Sequence, residues 1–208
     1  MKLVAQIRKL SIWIFFIPFL SINFCLLISV NYMMLENTIF SVDMIGRSNF
    51  TIPYIDGSLS ISRASRTFPQ YLIFKPAMIL TAILLIFYWK KNNQLIGSLN
   101  LQSDKNYRFK IFGVLSAVFL IIHSILLGIE IDIKIFKFLR RVVLLSFIIF
   151  EIIAQGLLVV KFYKLKHKIK HLINNKILKL KVILVSLLAT VAILSIPILI
   201  TSGNVHLK

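Results

Sequence analysis

The chain has 208 residues and a formal net charge of +18, with 58% hydrophobic but only 15% charged residues. A soluble domain of this size carries about 45–50% apolar and about 25% charged residues, so a water-soluble globule is excluded and an integral membrane protein is expected. The excess of 25 Lys and Arg over 7 Asp and Glu then becomes a question of where the cations sit.

Lys2, Arg8 and Lys9 precede a long apolar run. That run exceeds the core of a signal peptide and has no small-x-small cleavage site, so it reads as an uncleaved first span over about residues 11–34. Cys25 within it is the one cysteine of the chain, which rules out an intramolecular disulfide framework or a thiolate metal site. Asn23 in the same run reads as interhelical glue. An outer loop over 35–70 follows, then a second span over about 71–89 and a third over 111–128. The fourth covers 142–160 and the fifth 182–200. Each segment approaches the 20 or so apolar residues that cross about 30 Å of hydrocarbon, and none alternates as a barrel strand does. The expectation is an all-α polytopic transmembrane helical bundle of five spans forming a single domain.

Loop charges set the expected orientation. Sixteen of the 25 basic residues fall in residues 1–10, 90–110 and 161–181, which all lie on one side. The N-terminus is therefore expected to be cytoplasmic. In 161–181 the apolar residues Phe162, Leu165, Ile169, Leu172, Ile173, Ile177 and Leu180 recur at helical steps among lysines. This is the pattern of an amphipathic linker, with Lys164, Lys166, Lys168 and Lys170 facing an anionic lipid surface. The alternative is a basic loop that extends the fourth span. Nucleic acid is not an expected partner, because aromatic stacking positions and a soluble recognition fold are both missing.

The 35–70 loop is longer than a connector requires. Its densest part reads Thr51-Ile52-Pro53-Tyr54-Ile55-Asp56-Gly57, followed by Arg63, Arg66 and Phe68-Pro69. Pro53 fixes one backbone angle and Gly57 permits a turn, which presents Tyr54 and Asp56 with Arg63 or Arg66 as an ion-pair partner. These residues resemble the Frag1/DRAM/Sfk1 family of multi-pass membrane proteins, whose first outer loop carries a Pro-x-Ile-(Ser)-Asp-x-Gly-like motif. Pro53, Ile55, Asp56 and Gly57 match its core, although Asp56 and Gly57 are adjacent where the family often has an intervening residue. Pro69 and Tyr71-Leu72-Ile73-Phe74 match its lead-in to the second span. The family usually has six spans, and this chain offers five. The resemblance implies a role in organising, sensing or remodelling membrane lipids, and it transfers no catalytic set.

Ionisable groups inside a span are costly and mark functional candidates. Glu151 lies mid-way along the fourth span with Gln155 one turn on, and His123 lies in the third. Counting from the segment ends puts His123 and Glu151 within about one turn in depth, either as a proton-relaying pair or as an interhelical brace. Lys75 lies one turn inside the second span, placed to snorkel outward or to approach Asp56 or Glu36. His167 and His171 are four apart but have no third ligand nearby, so neither a metal nor a cofactor is expected.

The preferred reading is a non-enzymatic protein that organises or senses lipids, acting with anionic lipid or a membrane-protein partner. A lipid-modifying enzyme using Asp56 or the His123/Glu151 pair is the first alternative. A small proton-coupled transporter or channel is the second. The Ile-, Lys-, Phe- and Asn-heavy vocabulary is that of an AT-rich genome, and for a bacterial chain the expected location is the inner (plasma) membrane.

Overall fold

Backbone N–H and C=O groups find no water in hydrocarbon, so a chain this apolar folds as helices that satisfy their own backbone. The computed structural model describes residues 2–41, 54, 61–99, 108–129, 134–166 and 174–201. Five long helices dominate it: α1 (Lys2–Val30), α2 (Tyr71–Leu99), α3 (Arg108–Leu126), α4 (Lys134–Lys164) and α5 (Asn175–Thr201). All five are long and apolar enough to cross a membrane, and no strand occurs among the described residues. The architecture is that of a multi-pass helical membrane protein.

The helices do not stop where hydropathy does. α2 continues through Lys90 and Lys91 to Leu99, and α4 begins at Lys134, so Lys137, Arg140 and Arg141 lie in its first turns instead of in a loop. Long basic side chains can reach water from a helix that has already entered the interface, so a cation does not end a helix. α1 ends earlier than expected, at Val30, and a 3-10 turn at Tyr32–Leu35 follows. There the Asn31 side chain donates to the Leu27 carbonyl at 2.9 Å, closing the helix end.

The expected amphipathic linker over 161–181 is described only at its two ends. Lys161 and Lys164 end α4, while Asn174 accepts from the Lys176 backbone N–H at 2.9 Å and caps α5. Residues 161–164 thus belong to the end of one span and 175–181 to the start of the next. Lys168 and Lys170 lie outside the described residues.

Neighbours in sequence are neighbours in space: α1 packs on α2, α2 on α3, α3 on α4, and α5 on α4. The tightest seam is α3–α4. α3 buries Gly113, Ser116, Ala117, Leu120 and Ser124, a stripe of mostly small side chains that lets backbones approach closely. Across it, Ala154 and Leu158 of α4 are fully buried. Phe150 of α4 stacks between Phe112 and Phe119 of α3, with ring centroids at 5.9 and 5.4 Å. By contrast α1 and α5 expose rows of large apolar side chains, such as Phe15, Phe19 and Leu27, or Leu184, Leu187 and Leu194. In water such patches would aggregate, whereas acyl chains cover them at no cost.

Candidate functional site

The middle of α4 carries Glu151, and the small stripe of α3 gives it room. The Ser116 hydroxyl donates to Glu151 Oε2 at 2.7 Å, and Gln155 Nε2 donates to Oε1 at 2.9 Å. The Ser116 hydroxyl also stands 2.8 Å from the Gly113 carbonyl. A hydroxyl has one proton to give and lone pairs to accept, so the set is satisfied whether the carboxyl is ionised or protonated. Trp89 of α2 is fully buried and brings its indole Nε1 to the same carboxylate without reaching full hydrogen-bond geometry. Three helices therefore meet at one intramembrane carboxyl group.

Gly113 makes this meeting possible. The Trp89 ring occupies the space that a Cβ on residue 113 would need, in contact with Cδ2 and Cε2. Trp89 in turn packs edge-on against Tyr88 at 5.1 Å and against Phe109 at 6.3 Å.

The expected His123–Glu151 pair is not formed. His123 faces Arg140, one of the basic residues assigned to a loop in the sequence reading, and its Nδ1 is buried without a partner. Ser116 sits opposite Glu151 while His123 sits opposite Arg140. Seven residues of α3 separate the two levels, about 10 Å at the helical rise. The error lies in the origin of the count. The first two turns of α4 are helix packed along the end of α3, so depth measured from residue 142 started too far along.

The loop-side candidates divide. Pro53, Asp56 and Gly57 lie outside the described residues. The Tyr54 hydroxyl donates to Asn23 Oδ1 at 2.9 Å, and Asn23 Nδ2 donates to the Phe19 carbonyl at 2.7 Å. Asn23 thus holds its own helix and Tyr54 from the loop instead of a neighbouring span. Lys75 lies over the Tyr71 ring at 5.3 Å, and it flanks Gly128 together with the Arg66 carbonyl. Arg63 and Arg66 belong to the short helical turn Ile61–Ala64 and the bend after it. Behind them the segment is fastened to α1. The buried Ser29 hydroxyl and the Gln70 amide are 2.9 Å apart, and the Cys25 thiol donates to the Gln70 carbonyl at 3.5 Å.

At the opposite end, where α1 begins and α4 ends, a cavity of 440 Å³ opens between α1, α2, α4 and α5. Its polar lining includes Arg8, Tyr88, Asn92, Asn174 and Lys181. Lys181 Nζ donates to the Tyr88 hydroxyl at 3.3 Å and stands 5.7 Å from the centre of the Phe162 ring. Lys181 is also the cation whose charge reaches Glu151. Lys164 and Lys166 lie beside this end, and Lys166 covers the Tyr163 ring at 6.0 Å.

Compared with known proteins, the chain matches no family model, no curated protein and no solved structure. The site therefore has to be judged on its own chemistry. Glu151 and Gln155 were visible in the sequence as polar residues in an apolar run. Ser116, Trp89, Tyr88 and Lys181 were not singled out. A signal did exist for the first, because Gly113-Val114-Leu115-Ser116-Ala117 clusters small residues as a close helix seam does. Lys181 looked like one lysine among eight. Among the described residues no group of three His, Cys, Asp or Glu side chains could hold a metal ion, and His167 and His171 lie outside them.

Proposed function

We propose that this is a non-enzymatic multi-pass protein of the inner (plasma) membrane that organises or senses anionic lipid at its basic end, with its N-terminus in the cytoplasm. The observation that carries this reading is the gathering of basic side chains at one end of an otherwise lipid-facing bundle. Arg8, Lys164, Lys166 and Lys181 stand at that end, and Lys168 and Lys170 adjoin it in sequence. A cation near an anionic leaflet gains about 1 kcal/mol, so several together favour anionic lipid over zwitterionic. The Frag1/DRAM/Sfk1 resemblance belongs to the same proposal, and so does a membrane-protein partner on the apolar face of α5.

Glu151 fits this reading as a brace. Both of its carboxyl oxygens accept hydrogen bonds from within the bundle, which supports a bracing role. The test is reconstitution into nanodiscs of phosphatidylcholine with increasing phosphatidylglycerol. The thermal midpoint should rise with the anionic fraction, and high salt should reverse the gain. A midpoint indifferent to lipid charge would end the proposal.

A further inference from the structure

We infer that the cavity between α1, α2, α4 and α5 is a specific site for the phosphate of an anionic phospholipid, held by Arg8 and Lys181. This rests on the lipid reading above and deepens it, because it moves recognition from a diffuse surface to one pocket.

Among the described residues the lining supplies two cations and no acid. Lys181 donates to the neutral Tyr88 hydroxyl and lies over the Phe162 ring, and the acidic group its charge reaches, Glu151, does not line the cavity. A Lys ammonium carries three donors, so an anion can bind it while the Tyr88 bond persists. Asn174 marks the start of α5 on the same wall. The N-terminal end of a helix carries partial positive charge, which adds to the two side chains.

The remaining walls select a lipid over a free ion. Val4 and Ile7 of α1 face the cavity together with Ile177 and Leu178 of α5. α1 packs on α2 and α5 on α4, so the cavity fills the gap between two separately anchored helices. A volume of 440 Å³ is that of a pocket for a small molecule, enough for a phosphate headgroup and the first part of an acyl chain. The rest of the lipid then lies along the exposed apolar faces of α1 and α5. Inorganic phosphate would leave the apolar walls wet.

The test uses the full chain in detergent, with native mass spectrometry counting retained lipid. Phosphatidylglycerol, phosphatidylcholine and inorganic phosphate serve as probes. Wild type should retain one phosphatidylglycerol, and Arg8→Gln/Lys181→Gln should weaken that retention about thirtyfold, as expected from two headgroup-facing cations. Lys90→Gln/Lys91→Gln removes the same charge from the same end but away from the cavity, and should keep it. Ser11→Phe leaves both cations in place and fills the cavity, so it should also lose the lipid even if the double variant fails to fold. Equal retention by wild type and the cavity variants overturns the site while leaving the lipid reading intact. No preference for phosphatidylglycerol in wild type overturns both. Displacement of the lipid by millimolar inorganic phosphate overturns the assignment to a lipid.

Discussion

Trp89 and Gly113 are in direct contact across the α2–α3 interface, with the indole standing where a Cβ on residue 113 would have to be. The neighbour is a rigid ring that is itself packed between Tyr88 and Phe109, so it cannot swing aside. Gly113→Ala should therefore destabilise the bundle by about 1–3 kcal/mol, the usual cost of overpacking. The indole also reports on its own displacement. Trp13 is 49% exposed, so a Trp13→Phe background isolates Trp89, whose emission should shift red in the Gly113→Ala variant. An unchanged spectrum and midpoint would show that the contact is not tight.

Glu151 is expected to act through hydrogen bonds and not through its charge. Glu151→Gln keeps an acceptor for Gln155 and gains a donor for Ser116, so its stability should stay close to wild type. Glu151→Leu strands the Gln155 amide and should cost about 1–3 kcal/mol. A double-mutant cycle with Ser116→Ala should return a coupling of about 0.6–1.7 kcal/mol, the range measured for bonds between membrane helices. Loss of stability in Glu151→Gln equal to that in Glu151→Leu would mean that the ionised form matters.

The fastening of the loop to α1 can be read through the cysteine. Cys25 is fully buried, and its thiol donates to the Gln70 carbonyl. Gln70→Leu removes the bond to Ser29, and leaving one buried polar partner unmet costs about 1–3 kcal/mol. Labelling of Cys25 by a membrane-permeant maleimide should accelerate in that variant. Equal rates would place the anchor elsewhere in the segment.

The proposed orientation has its own test. In a Cys25→Ser background, Ile39→Cys and Lys90→Cys sit at opposite ends of the bundle on exposed positions. An impermeant maleimide added to intact cells should label residue 39 and spare residue 90 until the membrane is opened. The reverse pattern would invert the chain and remove the cytoplasmic lipid surface from the proposed function.

Five apolar segments were legible in the sequence because the demand for about 20 apolar residues per span is strict. Helix ends were not. Lys134, Arg140, Lys90 and Lys91 lie within helices, because a long basic side chain can reach water from helical backbone while hydropathy registers only its charge. That one misreading displaced the depth scale of α4 and paired Glu151 with His123 in place of Ser116. The contact between Trp89 and Gly113 lay beyond reach for a different reason. A glycine in an apolar run announces that something comes close, but it does not say which residue of which helix.

The stacking of Phe150 between Phe112 and Phe119 has a mechanical consequence. Two rings on α3, seven residues apart, act as stops on either side of a single ring on α4. A slide of α4 by one turn in either direction would drive Phe150 past one of them and pull Glu151 away from Ser116. The α3–α4 pair therefore behaves as a keyed joint that resists piston motion. The two end helices lie outside that joint, since α1 packs on α2 and α5 on the flank of α4, so neither is keyed by these rings.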